Sequence, residues 1–358
     1  MEKRLKELPV RMFRNDYSEG AAPEILEALV STNAEQHVGY TEGDPYCERA
    51  RELIRAACGR DDVDVEFCIG GTSASIVGVT GMLRDWEGVI CTRDGHINVH
   101  ETGAIAACGR TVLPTRDADG FLSVEEAERV FTFQTGTGRH MTRPAAIYIS
   151  NTTELGGVWS RARFDAICDW AESRGLKVFL DGARLGSALT SPAADGLTLE
   201  HIAARASAFY IGGTKNGMLF GEAMVIADPA LKEAFGYLVK ERGGLMAKGR
   251  LLGVQFARAF EPEADGEALY WKLARGANEC AFKLRAGLIE LGFEPAGDAP
   301  SNQQFFLFEP QVAAAFAETA GCEIFEYLPD GRALTRFVCS WATKPADVDE
   351  LLDFAAAL

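Results

Sequence analysis

The sequence lacks any apolar run of the roughly 18 residues that a membrane-crossing helix needs. Its charged start, MEKRLKELPVRMFRND, is not followed by an apolar stretch of about 7–15 residues, so no secretory signal is read there. Neither G-x-G-x-x-G nor G-x-x-x-x-G-K-[ST] occurs, which removes support for a nicotinamide dehydrogenase or a nucleoside triphosphatase. Basic residues are in deficit: 36 Lys+Arg against 52 Asp+Glu give a formal charge of −16. A surface that acidic repels phosphate backbones and anionic lipid, so no nucleic acid and no membrane is expected among its partners. The nine cysteines contain no C-x-x-C pair, and Cys68, Cys91 and Cys339 sit inside apolar runs. They read as reduced, buried thiols of a cytoplasmic protein rather than as a disulfide framework. No internal repeat or low-complexity tract is present.

What is present is a chain of 358 residues, 47% of them hydrophobic, enough for a large α/β domain and a smaller companion. Short apolar runs recur at 65–70, 88–94, 111–115, 145–151, 177–183, 207–214 and 223–228. Most are continuous rather than alternating, as expected of strands covered on both faces. Helical stretches separate them, which predicts a mixed, mostly parallel seven-stranded sheet. Ser123-Val124-Glu125-Glu126 reads as a capping box. The last two runs are joined by a link too short for a helical crossover, so they are expected to pair antiparallel. Beyond about residue 230 a long helical region precedes apolar runs at 304–308 and 335–341 and a final amphipathic helix, the pattern of a small α+β domain.

In an open α/β sheet, ligands bind beyond the carboxyl ends of the strands, so the residues following each run are where chemistry is sought. After the first comes Gly70-Gly71-Thr72-Ser73-Ala74-Ser75 and then a helix, a turn able to present free N–H groups to a phosphate, or simply a tight turn. After the fifth comes Asp181-Gly182-Ala183-Arg184, where the carboxylate is either a crevice group or an ordinary helix cap. After the sixth comes Gly212-Gly213-Thr214-Lys215-Asn216-Gly217, where the lysine between glycines is either a group that desolvation would make nucleophilic or a surface lysine in a tight turn. Together the three suit pyridoxal 5'-phosphate: a lysine for a Schiff base, a carboxylate to keep the pyridinium protonated, and a turn for the phosphate.

From about Phe13 to Trp341 the chain resembles the threonine aldolases of the fold type I pyridoxal phosphate enzymes. The resemblance rests on FRNDYSEG, GYTEGDPYCERA, GGTSAS, DGHINVHETGA, NTTELGGV, LDGARLGSA, IGGTKNG and RFVCSW, in that order. It implies Lys215 as the Schiff-base lysine, Asp181 as the pyridinium partner, Gly71 and Thr72 at the phosphate, and His96 stacked on the ring. Arg184 and Arg336 would hold the substrate carboxylate, or Arg184 the cofactor's phenolic side. Lys248 or Arg250 would reach a neighbouring subunit's cofactor phosphate in a homo-oligomer, dimer or tetramer, with Tyr40 and Asp44 in a loop at the subunit boundary. Two positions depart from the family pattern: Glu154 stands where many members carry a histidine, and Asn15 replaces a common serine. Both touch the substrate side of the site.

The implied organisation is an N-terminal arm and helix over 1–35, a large cofactor domain over 36–245, and a linking helix with a small α+β domain over 246–358. The implied reaction is retro-aldol cleavage of a β-hydroxy-α-amino acid (L-threonine, L-allo-threonine or L-phenylserine) to glycine and an aldehyde. Glu154, a water it orients, or His96 would take the hydroxyl proton. A β-eliminating lyase or an amino-acid racemase would use the same lysine, aspartate and phosphate turn, and a non-enzymatic cofactor-binding protein is the reading from another class. His96 and His100, four apart, lack a convincing third ligand, so no metal is expected.

Overall fold

The computed structural model describes residues 12–358, so the first eleven residues of the expected N-terminal arm lie outside the described residues. The seven apolar runs become β1 (Asp64–Cys68), β2 (Glu87–Cys91), β3 (Thr111–Pro114), β4 (Arg143–Ser150), β5 (Lys177–Asp181), β6 (Ala208–Gly212) and β7 (Glu222–Ile226). They form one sheet in the order β1-β7-β6-β5-β4-β2-β3. β2 through β6 pair in parallel wherever they meet, while β7 runs antiparallel to β6 and to β1.

The continuous apolar runs have a physical reason. Side chains alternate between the faces of a strand. Val178 and Leu180 enter one buried core while Phe179 enters the other, and Phe209 does the opposite of Ala208 and Tyr210. Both faces are therefore covered, chiefly by the helices between the strands. At Ser123 the expected reciprocal cap is only half formed. The Ser123 hydroxyl accepts from the Glu126 N–H at 3.2 Å, but Ser123 N–H donates to Asp117, and Glu126 instead holds Arg129 and the Arg116 N–H.

After β7 the long helical region breaks into helices Lys232–Glu241, Arg250–Phe260 and Leu269–Glu290. A second sheet of four strands follows: β8 (Glu294–Pro295), β9 (Gln303–Phe308), β10 (Glu323–Tyr327) and β11 (Ala333–Val338), in the order β10-β11-β9-β8. β9 and β11 are the two runs expected from the sequence, and β8 and β10 are additional edge strands. This sheet has its own core around Phe306, Phe308, Phe316 and Phe337. The segment from Phe13 to Ala22 ties the two sheets together. Phe13 donates to the Ala320 carbonyl and accepts from Val338 N–H, and Ala22 N–H reaches the Gly217 carbonyl.

The ends of β5 and β6 approach more closely than side chains allow. Gly212 N–H donates to the Gly182 carbonyl at 3.0 Å. A Cβ on Gly182 would stand 1.9 Å from the Tyr210 carbonyl oxygen, and one on Gly212 would stand 2.3 Å from the Ala183 carbonyl oxygen. Gly182→Ala therefore has to separate two backbones. The expected cost is at least the upper end of the ~1–3 kcal/mol typical of overpacking. Urea unfolding measures it, and a variant as stable as the parent would refute the close-approach argument.

Candidate active site

The close approach of β5 and β6 sets Asp181 and Lys215 into the wall of a single cavity of ≈ 280 Å³. Gly70, Gly71, Thr72, His96, Glu154 and Arg184 line the same cavity. The strand ends explain the convergence. β1 delivers Gly70 and the helix Gly71–Met82, β2 the one-turn helix His96–Val99, β4 the loop carrying Glu154, β5 Asp181, and β6 the turn holding Lys215.

Asp181 is held from two sides: the Tyr148 hydroxyl donates to Oδ2, and Ala183 N–H donates to Oδ1 at 3.0 Å. Burial, followed by the facing Asp181 carboxylate, keeps Tyr148 and Tyr210 well above the usual phenol range, so both remain protonated donors. Lys215 lies half-buried with its Nζ 5.8 Å from the centre of the Tyr17 ring. Desolvation first, and then the Arg184 charge, push its pKa below the ordinary lysine value despite Asp16, Glu154 and Asp181 nearby. A lysine so placed has a larger fraction of neutral, nucleophilic amine.

Arg184 is already partnered. Its Nε and Nη2 reach Asp16 Oδ2 and Oδ1 at 2.7 and 3.1 Å, a buried bidentate pair, and Asn302 adds a third bond to Asp16. Burial raises the Asp16 carboxyl, but Arg184, Lys215 and Asn302 outweigh it and hold the group below its ordinary value. Asp16 was not singled out by sequence, although it adjoins Asn15. Asn15 itself turns into its own loop, its Oδ1 accepting from Tyr17 N–H and from the Ser18 hydroxyl at 3.0 and 2.9 Å. It does not line the cavity, whereas Tyr17 does.

His96 Nδ1 lies 2.9 Å from Glu101 Oε1 on the buried side of the site. Burial opposes a charged imidazole, but Glu101, Asp181 and Glu154 together raise the His96 pKa. Glu154 makes no hydrogen bond among the described residues. It faces the charges of His96, Arg184 and Lys215 across the cavity.

Two expected groups lie elsewhere. Arg336, on β11, donates to Gln303 Oε1 at 3.1 Å and pairs with Glu323, and its Nε has no hydrogen-bond partner among the described residues. Gln303 in turn donates to the Thr152 hydroxyl at 3.2 Å, and Thr152 lines the cavity. Lys248 is exposed with φ at 64°, its N–H bound to the Gly39 carbonyl. Arg250 is engaged internally by the carbonyls of Glu35 and Thr32. Asp44 is buried as the cap of helix Pro45–Ala57, accepting from Tyr46 and Cys47 N–H, and Tyr40 is exposed.

The residues present fit pyridoxal phosphate. An amine, a buried carboxylate, an imidazole and the N-terminus of a twelve-residue helix share one cavity. At the mouth of that helix a Cβ on Gly71 would come within 3.3 Å of the Tyr210 hydroxyl, so glycine leaves room there that a side chain would take.

A family model described as beta-eliminating lyase matches residues 13–306. A low specificity L-threonine aldolase of a Pseudomonas species is 29% identical over 347 residues, covering 95% of this chain and 96% of that protein. A low specificity L-threonine aldolase of Pseudomonas aeruginosa is 27% identical, with 95% and 96% covered. Among solved structures, a threonine aldolase of Leishmania major superposes with a TM-score of 0.92 at 39% identity, covering 97% of this chain and 99% of that one. An aspartate aminotransferase of Thermus thermophilus, at 14% identity and a TM-score of 0.70, shares the fold.

Glu101→Gln is expected to lower the His96 pKa, since it removes the carboxylate at 2.9 Å. The raised value has a defined sign. The stability it contributes is full below the unfolded histidine pKa of about 6.5 and is lost as pH rises through the folded value. An NMR titration of the imidazole checks this, and an unchanged His96 titration would show that Glu101 does not set its charge.

Proposed function

The chain belongs to the beta-eliminating lyase family and, within it, to the threonine aldolases, and from that membership we infer a pyridoxal phosphate-dependent carbon–carbon lyase. Its reaction is the cleavage of β-hydroxy-α-amino acids, L-threonine and L-allo-threonine among them, to glycine and an aldehyde. The observation that carries the reading is the convergence of Lys215, Asp181, His96 and the Gly71–Thr72 helix start on one cavity. When bound, the cofactor supplies a conjugated electron sink for the pair released as the Cα–Cβ bond breaks.

The chain's own groups do the rest. Lys215 offers an amine whose neutral fraction burial enlarges, for covalent attachment. Asp181, fixed by Tyr148 and Ala183, is the carboxylate that holds a proton on the cofactor's ring nitrogen, and His96 packs against the ring. The N–H groups at Gly71 and Thr72 take the phosphate. Glu154, with no hydrogen-bond partner among the described residues, accepts the β-hydroxyl proton directly or through a water. Arg184 is turned toward the ligand as a rigid plane by Asp16, with Nη1 left without an acceptor among the described residues. Arg336 binds the substrate carboxylate by exchanging Glu323 for it while Gln303 keeps the guanidinium in place. Asn15 acts on the substrate side by shaping the loop that carries Tyr17. Lys248, unlike Arg250, is free to serve the cofactor phosphate of a second copy, and this supports a homo-oligomer. The buried thiols suit a cytoplasmic location.

No helix among the described residues is long and apolar enough to cross a membrane. The test is turnover of L-threonine, L-allo-threonine and L-phenylserine by the purified, cofactor-loaded protein. Glycine and the matching aldehyde are expected, abolished in Lys215→Ala. Glu154→Gln should lose on the order of 10²-fold or more in kcat, the usual worth of a positioned general base. Pyruvate and ammonia, or racemised substrate, in place of aldehyde would overturn the aldolase reading. An undiminished Glu154→Gln would move the proton acceptor elsewhere.

A further inference from the structure

One buried carboxyl in the cavity wall has no part in the reaction just described. Glu222 opens β7 and is 3% exposed. Its Oε2 accepts Gly213 N–H at 2.9 Å and its Oε1 accepts the Thr214 hydroxyl at 2.8 Å. The same Thr214 oxygen accepts Gly221 N–H at 2.9 Å, and the Gly221 carbonyl accepts from Gly213 and Thr214 N–H, both at 3.1 Å. These bonds close the neck of the 213–221 turn, and Lys215 sits inside it. A neutral side chain could clamp a turn. A carboxylate carries a desolvation cost at this depth, and no cation lies within ion-pair distance of it among the described residues.

The charged and titratable groups around it come from five elements. They are Lys215 on the turn itself, Asp181 at the end of β5, Tyr210 on β6, Cys68 on β1 and Tyr270 on helix Leu269–Glu290. Lys215 is the one cation of that set.

We propose that Glu222 is the positioning residue of Lys215: it fixes the turn that aims the amine, and from the same cavity wall its carboxylate adds a further counter-charge to those of Asp16, Glu154 and Asp181. The proposal rests on Lys215 being the cofactor-bearing lysine. Burial pushes the Glu222 carboxyl up to about 7, against the pull of the Thr214 and Gly213 donors and of Lys215. Above that value the ionised carboxyl favours an ammonium at Lys215, and below it the support is withdrawn. The two groups thus titrate as a pair.

The experiment follows the visible absorbance of the cofactor-loaded protein against pH in the parent, Glu222→Gln, Glu222→Asp and Thr214→Ala. Removing the negative charge in Glu222→Gln is expected to lower the midpoint of the lysine-linked spectral transition by about one unit. Glu222→Asp, which keeps the charge, restores most of it. Thr214→Ala leaves the carboxyl in place but removes a donor to its ionised form, so it shifts the midpoint in the same direction by less, and it carries the test if Glu222→Gln does not fold. A purely structural clamp would change thermal stability and cofactor content while leaving every midpoint at the parent value, and that result overturns the proposal. Lys215→Ala separates the premise: retention of the parental band and its pH transition would remove the lysine assignment itself, whatever Glu222 does.

Discussion

Everything in the site depends on two backbones touching. The turn after β5 and the turn after β6 meet at Gly182 and Gly212, with a hydrogen bond between them and no room for a methyl group on either. That contact fixes the start of the Asp181 turn against the start of the Lys215 turn. Because parallel strands end at one edge of the sheet, β1, β2 and β4 deliver their groups to the same place. The antiparallel β7 begins where its neighbours end, so Glu222 joins them, opposite Cys68 on β1.

The second constraint is charge. Five carboxylates (Asp16, Glu101, Glu154, Asp181 and Glu222) act in or beside the cavity, against Arg184, Lys215 and a histidine whose charging they promote. Each of these carboxylates except Glu154 has a fixed protein partner. Asp16 holds Arg184, Glu101 meets His96, Asp181 accepts from Tyr148, and Glu222 accepts from the turn. Fixed partners set orientation and protonation before a ligand arrives, which is the form electrostatic preorganisation takes in enzyme sites. Glu154 is the exception: it lines the cavity with no hydrogen-bond partner among the described residues.

The fold, and the turns that converge on the cavity, are legible in the sequence because both are written locally. Continuous apolar runs mark strands buried on two faces, and Gly-Gly-Thr, Asp-Gly-Ala-Arg and Gly-Gly-Thr-Lys are turns whose chemistry is complete within a few residues. Asp16, Glu101, Tyr148, Tyr210 and Glu222 were not picked out. Tyr148 and Tyr210 sit inside apolar runs as ordinary core residues. Asp16 meets Arg184 and Asn302 across separations of 168 and 286 residues, which no local pattern encodes. Glu222 was hidden inside a link read only for its length. β10, the edge strand Glu323–Tyr327, has no fully buried residue, and its apolar residues are interleaved with glutamates, so it shows no continuous apolar run.

Arg336 shows what local reading does to a long-range group. The family resemblance implies a carboxylate ligand, and the structure gives it two protein partners, Gln303 on β9 and Glu323 on β10. These partners are not equivalent. Gln303 is fully buried and bonded onward to Thr152 in the cavity wall, so it is a fixed point between the small sheet and the site. The Glu323 side chain is 41% exposed, so it is the partner that solvent or a ligand can reach. A substrate carboxylate, in the proposed reaction, takes the place of Glu323 and keeps the buried arginine paired, while Gln303 holds the guanidinium. In the proposed reaction the small domain then contributes by aiming a cation through a buried amide, so the packing of β9 against the 151–157 loop matters to substrate binding as much as the arginine does.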